Sequence, residues 1–249
     1  MKKTFQLIGL TFVSVVLSCG LAACDEISDN SSKVESTPST PIRVTESGTI
    51  STDYEPGQTA KVSFDRFPVN YEDWARLQPT LGKSLAGTVA LEMMAMQLYY
   101  YNQSEGEKAL KANNTDVDAS GLIRILAQKF KKSMATASEK DPYFCPFLVA
   151  SYLTGASPEN AYHPNKPYEI VVRMSPEPSH KPQEGTFGFT GINYYLQIYC
   201  NGADMAWRGV EVAELKDEPY FKVFNSGGLP SSPKQIAYKS NPANFDEIH

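Results

Sequence analysis

The hydrophobic period of this chain changes near residue 165, and this change limits the folds that it can adopt. Before residue 165, apolar residues recur at the spacing of an α-helix. After it, apolar and polar residues alternate as they do in strands. The pattern predicts helices over 81–100, 105–113 and 119–134, and strands over 168–174, 192–200, 207–215 and 220–224. Residues 60–64 are predicted to be either a strand or an extended lead-in. Helices followed by strands with short turns predict an α+β fold, in which N-terminal helices pack on a C-terminal antiparallel β-meander.

Composition narrows the class of protein further. At 249 residues with 41% apolar side chains, the chain can bury one sizeable core. Its 23 basic and 28 acidic residues give a net charge of −5, which excludes a general basic surface for nucleic acid. In the first long helix, Met93, Met94 and Met96 are predicted to fill the core.

The N-terminus predicts the compartment. Lys2 and Lys3 precede an apolar run over 5–17, as in a secretory signal peptide. The run ends in Leu21-Ala22-Ala23-Cys24, which resembles the lipobox of bacterial lipoproteins. That resemblance implies removal of residues 1–23, acylation of Cys24 with chains such as palmitate, and a lipid anchor in a membrane on the extracytoplasmic side of the cell envelope. The alternatives are a plain secretory signal, and lipidation at Cys19 within Val16-Leu17-Ser18-Cys19.

The mature chain divides into three parts. Residues 24–59 are dominated by Ser, Thr, Pro and acidic residues, and we predict a disordered tether there. Residues 60–226 form the α+β domain, and 227–249 a flexible tail. Without Lys2 and Lys3 the mature chain has 21 basic and 28 acidic residues, a net charge of −7. Attachment to an anionic membrane therefore depends on the lipid.

One stretch of the chain resembles a known family. Residues 152–170 read YLTGASPENAYHPNKPYEI, which is similar to the G-A-[ST]-P-E-N-x-Y-x-P-x-x-P-Y-x-[IV] stretch of a bacterial domain of unknown function that is often found in lipoproteins. A second resemblance, to the family's G-A-D-x-x-R-x-I turn, lies at Gly202-Ala203-Asp204 with Arg208 and one extra residue. The resemblance covers residues 66–225, and implies a folded unit without implying catalytic residues. The chain departs from the family's Trp-rich last strand, where it has Tyr220-Phe221-Lys222-Val223-Phe224.

The first of these motifs admits two interpretations. Pro158, Pro164 and Pro167 restrict the backbone, so the motif is predicted to be a rigid crossover from the helices into the first strand of the meander. Rigid loops also carry binding sites. The candidate ligand-binding residues are Glu159, Asn160, Tyr162 and His163 of this loop, together with Arg208.

A search for catalytic and metal-binding motifs finds none of the common ones, and the sequence predicts no metal site and no cofactor. Arg173 and Arg208 would recognise an anion if they lay on adjacent strands. Cys145 and Cys200 remain after signal removal and acylation. They are predicted either to form a disulfide or to stay as two buried thiols.

Two functions from different classes remain. The first is a non-enzymatic binding or interaction domain at the cell envelope, whose partner is an envelope protein or a glycan. Exposed aromatic residues on the sheet, Tyr195, Tyr199 and Trp207, would provide its surface. The alternative is a small-ligand carrier or enzyme with a pocket between the helices and a curved sheet, as in cystatin-like cones.

Overall fold

The computed structural model describes residues 40–130, 144–185 and 190–236, and confirms the α+β fold. The helices are α1 (Tyr71–Ala75), α2 (Gln78–Leu81), α3 (Leu85–Tyr101), α4 (Gln103–Asn113) and α5 (Asp116–Phe130). The strands are β1 (Val44–Gly48), β2 (Thr59–Phe64), β3 (Tyr168–Met174), β4 (Gln183–Glu184), β5 (Gly191–Tyr199), β6 (Trp207–Leu215) and β7 (Lys222–Asn225). Within these three stretches, no helix has the length and apolar character needed to span a membrane.

The strands form one antiparallel sheet in the order β1-β2-β3-β5-β6-β7, and β4 pairs with β5. From β3 onward the main path follows the predicted meander, because β5, β6 and β7 each pair with the strand before them. Alternate residues of β3 and β5 are buried on one face, as their period of 2 predicts. That inner face packs against the helices, and the opposite face is the outer face of the sheet.

Helix α3 is the centre of the core. Every residue from Leu85 to Tyr99 is buried, including the three methionines that were predicted to fill the core. The helix contacts β2, β3, β6 and β7 of the sheet. It also contacts each of the other four helices. Ser84 caps its N-terminus by accepting a hydrogen bond from the Gly87 amide at 2.9 Å.

Strand β1 lies within the segment that was predicted to be a disordered tether, so that prediction is wrong for residues 44–48. Its sequence, VTESG, has one apolar residue and no burial signal. The strand forms because its backbone pairs with β2 from Val44 opposite Phe64 to Gly48 opposite Ala60. Glu46 also accepts hydrogen bonds from the Ser84 hydroxyl at the start of α3.

The beginning of the predicted flexible tail is also packed against the domain. Leu229 is fully buried, and its carbonyl accepts a hydrogen bond from the Tyr152 hydroxyl at 2.6 Å. The Lys234 amide donates to the Gly202 carbonyl, and its ammonium lies 2.8 Å from Asp204. The prediction of a flexible tail is therefore wrong for residues 227–236, while residues 237–249 lie outside the described residues.

The backbones of helices α3 and α4 lie close together at Gly106. A Cβ atom at this position would lie 2.1 Å from the Tyr99 Cα atom, too close for any side chain. We expect Gly106→Ala to lower the free energy of unfolding by about 2–3 kcal/mol, because the backbones must move apart. Gly121 of α5 is the matched control, since a Cβ there meets nothing within 4 Å. Gly121→Ala should raise the free energy of unfolding by about 0.5–1 kcal/mol. Urea unfolding curves measure both, and equal effects would contradict this packing.

Candidate functional site

The loop that carries the first family motif is held by its own side chains. Asn160 accepts a hydrogen bond from the Ser157 amide at 2.8 Å and donates to the carbonyls of Gly155 and His163. The Asn160 side chain therefore serves to fix the loop, although it is exposed. This geometry favours the interpretation of the motif as a rigid crossover.

Tyr162 joins the two family motifs. Ala161 and Tyr162 adopt positive φ angles of 54° and 57°, and the Tyr162 side chain is fully buried. Its ring stacks on Phe147 with centroids 4.9 Å apart, and its hydroxyl donates to the Lys234 carbonyl at 2.7 Å. A Cβ at Gly202 would lie 1.9 Å from that hydroxyl. The loop and the Gly202 turn thus pack directly on each other.

The candidate ligand-binding residues do not converge on one site. Glu159 is exposed, whereas Tyr162 is buried in the core. Arg208 lies on the inner face of the sheet, paired with the buried Ile198. Arg173 lies on the outer face, and β5 separates its strand from β6. The proposed anion site formed by Arg173 and Arg208 is therefore wrong.

Cys145 and Cys200 are both buried free thiols, as the second of the two predictions has it, and the disulfide is not formed. Burial raises the pKa of Cys145 to about 12 and also raises that of Cys200. The Cys200 sulfur lies 3.4 Å from the Ser151 hydroxyl. Two protonated thiols in this environment behave as small apolar side chains. Cys24, the predicted lipidation site, lies outside the described residues and stays a prediction.

The space between the helices and the sheet is filled with side chains. Met93, Met94 and Met96 of α3 and the inward-facing Leu196 and Ile198 of β5 are at most 1% exposed. Two surface hollows in the described part of the chain lie elsewhere, and no residue of α3 lines either of them. The structure therefore gives no support to a carrier or enzyme pocket of the cystatin-like kind.

The first hollow, of about 730 Å³, is lined by Thr40, Pro41, Arg43, Thr45, residues 63–66 and residues 166–167. It carries two arginines, but each already pairs with a carboxylate. Arg43 lies 2.9 Å from Asp65, and Arg66 lies 2.5 Å from Asp73. These pairs leave little charge for a ligand to complement.

The second hollow, of about 290 Å³, lies on the outer face of the sheet where β5 pairs with β6. Register places Gly209 opposite Gln197, between the pair Tyr199–Trp207 on one side and the pair Tyr195–Glu211 on the other. A Cβ at Gly209 meets nothing within 4 Å. Gly209 is thus a gap in a row of large side chains, and this gap is the floor of the hollow.

The walls of the hollow bring planar and polar groups together. On one side the His180 ring stacks on Tyr195, with centroids 4.8 Å apart and planes 14° from parallel. A hydrogen bond of 2.7 Å between His180 Nδ1 and the Ser175 hydroxyl holds that ring in place. Ser175 is fully buried, so it orients His180 and is shielded from a ligand. The residues that line the hollow are His180, Tyr195–Gln197, Gly209–Glu211, Asn225, Gly227 and Gly228.

Glu211 has a fixed position in the second hollow. One of its carboxylate oxygens accepts from Asn225 at 2.8 Å and the other from Asn193 at 2.5 Å. Each carboxylate oxygen has a further lone pair for a ligand hydroxyl. Gln197 is fixed in the same way, because its carbonyl accepts from Arg173 at 2.8 Å. The hollow therefore offers pre-oriented hydrogen-bonding groups.

An aromatic surface continues from the hollow along the two strands. The Arg173 guanidinium lies over the Trp207 ring, 3.9 Å from its centroid, and Tyr199 contacts the same ring edge-on at 5.1 Å. Burial lowers the pKa of Arg173 from its usual value. Tyr195, Tyr199 and Trp207 all lie on the predicted outer face, but Tyr199 alone of the three is exposed, while Tyr195 and Trp207 are half-buried. We call this surface and the second hollow together the outer-face site.

Comparison with known protein families gives one match. The family model described as a domain of unknown function, DUF6935, matches residues 66–237. The chain belongs to this family. No curated protein and no solved structure matches the chain. The DUF6935 match ends at residue 237, beyond the predicted domain end at 226, which agrees with the packing of residues 227–236 against the domain.

Sequence reasoning found only part of the outer-face site of this DUF6935 domain. The three aromatic residues follow from the alternation of β5 and β6. His180 lies in a Pro-rich stretch whose sequence indicates no role for it, and its stacking on Tyr195 depends on a loop that folds back over the sheet. Gly209, Glu211 and Asn225 carry no signal in the sequence, because a gap in a row of side chains exists only once strands are paired.

The contact between the two DUF6935 motifs makes a testable prediction. We expect Gly202→Ala to lower the free energy of unfolding by about 1–3 kcal/mol, because its Cβ would displace the Tyr162 hydroxyl from the Lys234 carbonyl. Gly209→Ala, in open space on the next strand, is the control and should change it by less than about 1 kcal/mol. Thermal unfolding of the two variants compares them, and equal destabilisation would contradict the contact.

Proposed function

We propose that this chain is a lipid-anchored protein of the bacterial cell envelope whose DUF6935 domain binds a saccharide at the outer-face site. The lipobox-like quartet that ends at Cys24 supports the anchor. The gap at Gly209, with fixed polar groups beside it and an aromatic surface next to it, is the observation that carries the binding proposal.

The chemistry of the outer-face site favours a saccharide over a protein partner. Protein interfaces are centred on exposed aromatic and apolar side chains that bury together. In the described part of the chain, the exposed large hydrophobic residues are Tyr199, at 36% exposure, and Met205, at 73%. The hollow instead combines a carboxylate, a carboxamide and an imidazole, which suit the many hydroxyl groups of a sugar.

The size of the hollow fits the same class of ligand. Its volume of about 290 Å³ is near the lower end of the roughly 300–1,000 Å³ of small-molecule sites, which suits one or two sugar rings. The flat apolar face of a sugar ring can pack on the exposed Tyr199 ring beside the hollow. Glu211 would then accept hydrogen bonds from the sugar hydroxyls, and charge-assisted bonds of this kind are strong.

The lipid anchor predicts a difference between two cysteines of the signal region. When the full chain is expressed in a bacterium fed with a labelled palmitate analogue, we expect label on the wild type and on Cys19→Ala. Cys24→Ala should lose the label, because its thiol is the acyl acceptor. Gel fluorography and membrane fractionation measure both outcomes. Label that persists in Cys24→Ala, or disappears in Cys19→Ala, would contradict the assignment.

Saccharide binding is tested by filling the gap. Gly209→Gln adds a side chain without backbone strain, because the position is open and its φ is not positive. We expect the wild type to bind at least one member of a panel of soluble peptidoglycan fragments and neutral oligosaccharides. Gly209→Gln should bind it at least tenfold more weakly in isothermal titration calorimetry. Gly121→Gln, at an equally open position on α5, is the control and should bind like the wild type.

Two results would overturn the saccharide assignment. One is the absence of binding to every member of the panel by the folded wild type. The other is equal affinity of the wild type and Gly209→Gln, which would place the sugar elsewhere on the chain. Co-purification of an envelope protein that Gly209→Gln releases would assign the same surface to a protein partner instead.

A further inference from the structure

Five polar side chains meet where α3, the α4–α5 corner and β7 come together, and each has a buried oxygen without a hydrogen-bond partner. The shared feature is unusual, since buried polar atoms in proteins are nearly always hydrogen-bonded. The oxygens are Glu92 Oε1, Asn113 Oδ1, Asn114 Oδ1, Thr115 Oγ1 and Asp118 Oδ2. Glu92, Asn113 and Asn114 are themselves at most 4% exposed.

The orientation of the two amides is fixed. Asn113 donates both of its amide hydrogens, to the Thr88 carbonyl at 3.2 Å and to Glu92 Oε2 at 2.8 Å. Asn114 also donates both, to the Leu110 carbonyl and to the same Glu92 oxygen, each at 2.8 Å. Rotating either amide would break two hydrogen bonds. The amide oxygens therefore remain as acceptors beside the Glu92 carboxyl group.

Among the described residues, neither Glu92 nor Asp118 forms an ion pair. The Lys222 ammonium at this corner donates instead to the Ala112 carbonyl at 2.6 Å and lies 3.7 Å from Glu218. Asp118 itself accepts a hydrogen bond from the Ser226 amide at 3.0 Å through its other oxygen. A proton on Glu92 and the Thr115 hydroxyl would supply two donors, and one of the three remaining oxygens would still lack a hydrogen bond.

We infer that these five oxygens form a binding site for a calcium ion. Two carboxylates, two amide carbonyls and a hydroxyl are ligands of the type that Ca²⁺ takes, and water completes its six to eight positions. Mg²⁺ is less suitable because it gives up its water reluctantly, and this corner is deeply buried. Within the described stretches, no three His, Cys, Asp or Glu side chains are grouped to hold a metal. The site differs from such groups because three of its five ligands are neutral.

The ion would join parts of the chain that are distant in sequence. Glu92 belongs to α3, and Asn113 to Asp118 form the end of α4 and the start of α5. The Thr115 amide donates to the Val223 carbonyl of β7, which brings the last strand to the same place. A bound ion would thus stabilise the contact of the helical layer with the edge of the sheet. This inference is independent of the proposed saccharide site.

Calcium binding is tested on the purified full chain after removal of metals with a chelator. We expect the wild type to take up about one calcium ion per chain, measured by equilibrium dialysis and elemental analysis. At a hundredfold excess over the dissociation constant, its unfolding midpoint should rise by about 5 °C or more. Glu92→Gln should take up less than one-tenth as much calcium, with no calcium-dependent shift.

Two further variants make the result decisive. Asp118→Asn, at a less buried position, should bind at least tenfold more weakly, and it provides the test if Glu92→Gln does not fold. Glu72→Gln removes the same charge from an exposed site on α1 and should bind like the wild type. The inference is overturned if the wild type takes up no calcium. It is also overturned if Glu92→Gln and Asp118→Asn retain full binding, or if only Mg²⁺ or Na⁺ shifts the unfolding midpoint.

Discussion

The burial of α3 on all sides is the constraint on which the rest of the structure depends. Its residues from Leu85 to Tyr99 are all inaccessible to solvent, so one layer of partners cannot cover it. The sheet covers one side, and the remaining helices cover the others. Gly106 allows α4 to approach within contact of the α3 backbone at Tyr99. The two-layer architecture follows from the need to enclose one apolar helix.

Enclosing α3 also forces polar groups into the core. Glu92 is the most demanding of them, because a buried carboxyl group needs hydrogen bonds, a proton or a cation. Asn113 and Asn114, at the C-terminal end of α4, each donate one hydrogen bond to the Glu92 carboxyl group. The corner between α4 and α5 therefore supplies hydrogen-bond donors to the buried carboxyl group of α3.

The sheet separates the residues that pack the core from those of the proposed binding site. Its inner face packs in the core, where Ile170, Leu196 and Val212 are buried. Its outer face is free to carry Trp207, Gly209 and Glu211 on one strand at alternate positions. Substitutions at those positions leave the core intact, which is the usual arrangement of a binding site on a stable scaffold.

The sequence alone determined the helices and strands whose buried residues recur at a regular spacing. It predicted β3, β5 and β6 to within one residue and α3 to within four, since a buried stripe or alternate face leaves a pattern. It missed β1 and the packed segment 227–236, because backbone pairing and a single buried residue such as Leu229 leave no periodic pattern in the sequence. Tertiary structure alone decided that Tyr162 meets Gly202, that Gly209 opens a hollow and that the Glu92 carboxyl group meets polar side chains of the α4–α5 corner. Each of these depends on residues far apart in the chain coming into contact, and a local pattern carries no information about such distances.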